Sequence, residues 1–225
     1  MALCLMHKKF SMIAENLKKV KSRIDSVKHE QKVKLIAVSK ARSVTEIQEA
    51  VDAGHKHFGE NYLQESLDKI EAFEEKNLVW HFIGPIQSNK TASIAEKFDW
   101  VHSVERYKIA KRLSDQRPSK LDQLNVLLQL NIDREKTKFG FFLEDIKEIV
   151  PEIKKLPNIS LRGFMCIPNP DNSAESFTKM EELISKYPDL DTLSMGMSAD
   201  LELAIEKGAT FVRVGTDIFG EREYN

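Results

Sequence analysis

The chain has 225 residues, 41% of them hydrophobic, enough to bury a core in one large domain or two small ones. Its 34 Lys and Arg nearly cancel its 35 Asp and Glu, so no broad charge field marks it for nucleic acid or a membrane surface. The cysteines Cys4 and Cys166 have neither CxxC nor metal-ligand spacing, which fits a reducing, cytoplasmic setting.

The opening MALCLM is apolar over only six residues, and the positive charge of Lys8 and Lys9 follows it instead of preceding it, unlike a secretory leader. No stretch approaches the roughly 20 apolar residues of a membrane span. A soluble intracellular chain is expected.

The first element is a helix over Phe10 to Glu30, with Phe10, Ile13, Leu17, Val20, Ile24 and Val27 on one face. A strand follows at Val33 to Ser39, then a helix from near Ser43 carrying Ile47, Ala50 and Val51. Next come a strand near His57 to Gly59, a helix from Tyr62 to Glu75 and a strand at Leu78 to Ile83. A helix is expected at Lys90 to Lys97, a strand at Trp100 to Ser103 and a helix at Arg106 to Ser114. Asn125 to Ile132 is the strongest apolar run. The helix after it, Leu143 to Leu156, contains Pro151 and should break or kink there. Strand Ser160 to Ile167, helix Ala174 to Tyr187 and strand Thr192 to Met195 continue the alternation. Helix Ala199 to Lys207 stops at Gly208, a C-cap, before strand Phe211 to Val214.

Eight apolar runs separated by helices predict an α/β fold, a single (β/α)8 TIM-type barrel with an additional N-terminal helix. The runs are continuously apolar, as in strands covered on both faces. Little sequence remains after the eighth strand, so the N-terminal helix is expected to complete the outer ring. An open doubly wound sheet is the alternative.

In such a barrel, functional groups collect at the C-terminal ends of the strands. Lys40 follows the first strand, Gly59, Glu60 and Asn61 the second, and Gly84 and Pro85 the third, while Asn131 closes the fifth. Ser194 to Ser198 end or follow the seventh; Arg213 lies on the eighth, with Gly215 and Thr216 after it. Phosphate sites of these barrels often use the last two loops. GMSAD and VGT each pair a glycine with a hydroxyl near a helix start, a chemistry suited to a dianion. A lysine across from a phosphate cup points to a phosphorylated carbonyl compound held as a Schiff base.

Each of these has a plainer reading. A lysine ending a strand commonly marks its emergence into water, and Gly-Ser or Gly-Thr pairs are ordinary turn and cap chemistry. Arg213 in an apolar strand needs a partner, for which an ion pair with a barrel carboxylate is the structural option. His55, His57 and His81 invite a metal site, but their spacing favours structural or surface roles. Met195 and Met197 read as packing residues.

Six stretches carry a resemblance: KLIAVSKAR, HFGENYLQES, WHFIGPIQSNK, LRGFMCIP, LSMGMSADLELAI and VRVGTDIFGEREY. In order and spacing they resemble the YggS/PROSC family of pyridoxal 5′-phosphate (PLP) homeostasis proteins, across almost the whole chain. The family is similar to the N-terminal barrel of alanine racemases without their β-rich second domain. The resemblance implies residues 1–225 as a single PLP-binding barrel domain, with Lys40 as the aldimine lysine. It implies Ser198, Gly215 and Thr216 as phosphate contacts, Arg213 facing the pyridine nitrogen, and Asn61 and Met197 lining the pocket. Asp217 beside this cup should turn its side chain away. No catalytic residue and no metal are implied, and PLP-dependent apo-enzymes are the expected recipients of the cofactor. The expected assembly is a monomer or weak dimer.

Two other readings share the same lysine. One is a true PLP-dependent racemase. It would want a second acid–base group opposite Lys40, for which Tyr62 and Tyr224 are the local phenols. The other is a cofactor-free Schiff-base lyase acting on a sugar phosphate. Arginine at the ring nitrogen stays protonated and disfavours the pyridinium, which suits storage better than strong carbanion chemistry.

Overall fold

Eight parallel strands close into a barrel in the computed structural model, which describes residues 2–221, with side chains from residue 12 onward. They are β1 Lys34–Val38, β2 His57–Glu60, β3 Val79–Phe82, β4 Trp100–Val104, β5 Leu124–Leu130, β6 Ile159–Cys166, β7 Thr192–Ser194 and β8 Phe211–Val214. Neighbours in sequence are neighbours in the wall, and β8 closes onto β1 with Ile36 opposite Arg213. Closure excludes the open-sheet alternative. Every expected strand is present, with ends within two residues of those read from the sequence.

The helices are α1 Ala2–Ser26, α2 Val44–Asp52, α3 Leu63–Ala72, α4 Thr91–Lys97, α5 Tyr107–Gln116, α6 Ile146–Lys154, α7 Ser173–Ile184, α8 Leu201–Glu206 and α9 Thr216–Phe219. Ser43 caps α2 in a reciprocal box with Glu46, which satisfies two donors at the helix start. α8 ends in a Schellman motif: Gly208 sits at φ +87°, and the Gly208 and Ala209 amides donate to the Ile205 and Ala204 carbonyls.

Two expectations about helices change. α6 continues through Pro151, so of the expected break or kink the break does not occur. Pro151 and Lys147 are both exposed, so the carbonyl that loses its partner faces water, which can supply one. α1 starts and stops earlier than Phe10 to Glu30. Its Ile13, Leu17, Val20 and Ile24 are buried, and it packs on α2, α8 and α9, filling the ring as anticipated. The side chain of Phe10 lies outside the described residues.

The period-two alternation of each strand sorts the core into two layers. Outward residues such as Leu35, Ala37, Phe58 and Val212 pack under the helices. Inward residues Ile36, Trp100, Leu127, Met165 and Phe211 plug the barrel interior. The same inward phase carries His57, His81, His102, Ser194 and Arg213, so a polar file runs beside the apolar plug.

Candidate active site

β7, β8, β1 and β2 stand side by side in the wall, and all seven expected site residues lie on or just beyond their C-terminal ends. The barrel therefore brings Lys40, Asn61, Met197, Ser198, Arg213, Gly215 and Thr216 onto one arc of one rim. Asn131, singled out on the fifth strand, instead holds its own loop: its amide donates to the Glu135 and Lys138 carbonyls at 2.8 and 3.0 Å.

Lys40 is half-buried in a tight turn closed by the Arg42 amide on the Ser39 carbonyl at 3.1 Å. The next residue, Ala41, has φ +55°, a conformation that a side chain disfavours and that its surroundings must hold. Three groups do so. Lys69 of α3 donates to the Ser39 carbonyl at 2.7 Å, the Ser39 hydroxyl donates to Glu60 at 2.5 Å, and Glu65 accepts from the Ala41 amide at 2.6 Å. Lys69 also bonds Glu60 at 2.9 Å and pairs with Glu65. On the other side, Arg42 reaches the carbonyls of Phe219, Gly220 and Glu221 beyond β8. The backbone on both sides of Lys40 is thus tied to the protein.

Glu60 is fully buried, and burial raises its pKa against the opposing pull of Lys69. Its Oε2 has no partner among the described residues. The sequence places Glu60 at the rim without assigning it a partner, and it does not single out Lys69. A single charged residue ending an apolar strand was the available signal at Glu60; Lys69, within a Lys/Glu-rich helix, had none.

Arg213 is 4% exposed. Its guanidinium donates to the Ser194 hydroxyl at 2.7 Å and to the Cys166 carbonyl at 2.9 Å, both neutral. The structural alternative, an ion pair with a barrel carboxylate, is not what holds it. Burial lowers the Arg213 pKa and pushes the Cys166 thiol up to about 12, so this cysteine is an inert packing group.

The histidines take the structural option of the two read from the sequence. No group of described His, Cys, Asp and Glu residues could hold a metal. His57, His81 and His102 instead bond one another, and His55 and His81 are buried, not on the surface.

The loops after β7 and β8 are held from outside by a residue the sequence did not single out. Arg23 of α1 donates to the Ser198 carbonyl at 2.8 Å, to Glu202 at 2.7 Å and to Asp217 at 2.7 Å. The Asp217 carboxylate is therefore engaged by Arg23. Asp200 stands before α8 and accepts from the Met197 amide at 2.7 Å and the Ser173 hydroxyl at 3.0 Å. The start of α8 already carries an acid, which narrows the expected anion seat to the Ser198 hydroxyl and the Gly215–Thr216 turn.

Asn61 lines a cleft of about 580 Å³ with Phe82, Ile86 and Arg106. Its Oδ1 is buried without a partner among the described residues and can accept from a ligand. Gly84 lies so close that a Cβ there would come within 2.1 Å of the Asn61 carbonyl, so only glycine allows this packing. Met197 is 39% exposed, a rim position and not the packing role expected of it; Met195 is fully buried. An amine, a buried permanent cation, two hydroxyls beside a backbone turn and an orphaned acceptor together fit a phosphorylated aromatic aldehyde.

The alanine racemase N-terminal domain model matches residues 10–223. A Pseudomonas aeruginosa relative named pyridoxal phosphate homeostasis protein is 50% identical over 224 residues, covering 95% of this chain and 97% of the relative. The Escherichia coli K12 protein of the same name is 44% identical over 229 residues, covering 95% and 98%. Among solved structures, Synechococcus elongatus PipY with PLP bound superposes with a TM-score of 0.81 at 35% identity, covering 92% of this chain and all of that one. A Clostridium difficile alanine racemase shares the fold with a TM-score of 0.73 at 16% identity, covering 96% of this chain and 58% of that one.

Proposed function

The chain belongs to the YggS/PROSC family, whose barrel is of the alanine racemase N-terminal type, and from that premise we propose that it binds PLP and serves intracellular PLP homeostasis. The observation that carries this reading is the clamped turn at Lys40, set on the same arc of the rim as a buried arginine with neutral partners.

PLP supplies an aldehyde that condenses reversibly with an amine and a ring that withdraws electrons. Lys40 contributes the amine for a reversible Schiff base, and its turn holds that amine in place. Ser198 and Thr216 donate their hydroxyls, and Gly215 its backbone, to the phosphate. Gly215 lies close against β1, where a Cβ would come within 3.3 Å of the Val38 carbonyl. Arg213 donates to the ring nitrogen, while Asn61 and Met197 border the ring.

Storage is favoured over racemisation by Arg213. A guanidinium has protons to give and no lone pair to accept one, so it keeps the ring nitrogen unprotonated and the ring a weaker electron sink. PLP-dependent apo-enzymes are the natural recipients of a cofactor held this way, and the cytoplasm is where they work. Among the described residues no helix is long and apolar enough to cross a membrane.

The test is an absorption spectrum of the purified protein, followed by borohydride reduction and peptide mass analysis. A visible band that reduction removes, with the cofactor's mass fixed on Lys40, is expected. A colourless protein that takes up no PLP would defeat the reading and favour the cofactor-free lyase.

A further inference from the structure

Inside the barrel, four side chains link Arg213 to the opposite face. Arg213 donates to Ser194 Oγ at 2.7 Å, and Ser194 Oγ lies 2.8 Å from His102 Nδ1. His102 Nε2 lies 2.9 Å from His81 Nδ1, and His81 Nε2 lies 3.0 Å from His57 Nδ1. His57 begins β2 and lines a cleft of about 390 Å³ on the N-terminal face, with Lys34 and Lys56. The file crosses from β8 through β7, β4 and β3 to β2, and Phe211 and Trp100 wall it from the side.

The donors and acceptors of this file can be ordered from one fact. A guanidinium only donates, so Ser194 Oγ must accept from Arg213. Ser194 is fully buried, and its hydroxyl proton has His102 Nδ1 as its remaining partner. Were His102 to donate instead, that hydroxyl proton would be buried without an acceptor, a costly arrangement. His102 Nδ1 therefore accepts, which leaves its proton on Nε2 for His81. The same step repeats from His81 to His57. All three rings then carry the Nε2–H tautomer, and every dipole points the same way. Burial depresses the histidine pKa values, to about 4 at His57 and well below the ordinary value at His81 and His102, in keeping with neutral rings.

We infer that Ser194, His102, His81 and His57 form a one-way hydrogen-bond relay that positions Arg213 as the donor to the cofactor's ring nitrogen. The relay rests on the PLP reading for its purpose, but not for its existence. Aligned dipoles solvate a buried cation that has no carboxylate beside it. They also hold the guanidinium in one orientation, so the electronic state of the bound ring depends on residues that never touch it. These four are positioning residues. A purely structural histidine cluster would need no common tautomer and would leave the bound ring's spectrum alone.

Two measurements decide this. The first is long-range 15N–1H correlation on the cofactor-free protein with labelled histidine. Three Nε2–H rings are expected at neutral pH. The folded Ser194→Ala variant, which loses one hydroxyl and little volume, should show His102 and His81 as tautomer mixtures. An Nδ1–H tautomer at any of the three in the native protein, or unchanged tautomers in Ser194→Ala, overturns the relay. The second is cofactor binding. Ser194→Ala should weaken PLP and pyridoxal equally, by about tenfold, and shift the visible band, because the change reaches the ring and not the phosphate. His81→Phe, which interrupts the file further away, should shift the band in the same direction. A native band and affinity in both folded variants refutes the positioning role. If the native protein binds no PLP, the functional reading falls while the tautomer measurement still decides the relay.

Discussion

Lys69 Nζ donates to the Ser39 carbonyl at 2.7 Å, one residue before Lys40. The Lys69 side chain is 4% exposed and its ammonium also bonds Glu60, which is fully buried, so one ion pair anchors both the strand end and the turn that carries Lys40. Removing one member of a buried pair strands the other charge. Lys69→Met should therefore destabilise the protein by about 3–5 kcal/mol in denaturant titrations. Adding Glu60→Gln should restore part of that loss. A double variant no more stable than the single one would mean that Lys69 acts through packing alone.

Lys40→Ala should abolish the reducible visible band while leaving the fold intact, because Lys40 is only half-buried and the clamp bonds its neighbours' backbone. Weak, noncovalent PLP should persist through the phosphate contacts. Absorbance with reduction and peptide mass mapping reads this out; an undiminished band would move the attachment to another lysine.

Ser198→Ala combined with Thr216→Ala should weaken PLP more than pyridoxal, which lacks the phosphate. Each hydrogen bond to a charged group is worth on the order of 1.5–3 kcal/mol. Arg23→Met should act in the same sense but more mildly, since Arg23 holds the Ser198 carbonyl and Asp217 from behind the cup. Comparative titrations with the two ligands measure it. Equal weakening of both would place the phosphate elsewhere.

The buried histidines should make stability fall on acidification below about pH 6.5. His55 and His57 have pKa values lowered to about 4, and burial also holds His81 and His102 well below the ordinary value. The unfolded chain binds these protons near pH 6.5, so it takes up more protons than the folded one below that point. Their contribution is complete above pH 6.5 and is lost as pH falls toward 4, with a slope of up to about 1.4 kcal/mol per pH unit for each histidine. Urea midpoints measured between pH 7 and 5 test the sign; a flat profile there would contradict neutral buried rings.

Racemisation of free amino acids should be negligible. It needs a second acid–base group opposite Lys40 as well as an activated ring. Of the two phenols considered, Tyr62 is 58% exposed, and Tyr224 lies outside the described residues. Incubation with L-amino acids followed by chiral chromatography checks this. Sustained interconversion that Lys40→Ala abolishes would make the protein a racemase.

By itself the sequence determined the eight strands, the helices between them and the rim positions of Lys40, Asn61, Ser198, Arg213 and Thr216. Those features are local: an apolar run, a 3.6-residue period or a glycine at a strand end records which way a residue faces. Only the tertiary structure decided what each inward residue meets. His57, His81 and His102 carry the same inward phase as Ile36 and Phe211; the spacing of the first two spoke against a metal site, but nothing in the sequence foretold that the three rings bond one another. Ser194 lies 92 positions beyond His102, and they touch because the closed sheet packs residues from several strands across its interior. Arg23 reaches Asp217 across 194 positions for a related reason: barrel closure seats the first helix against the last. A charged residue on a helix shows in the sequence only that it is polar. Whether it is a solvated face or, like Lys69, a buried clamp depends on which strand end the fold sets beneath it.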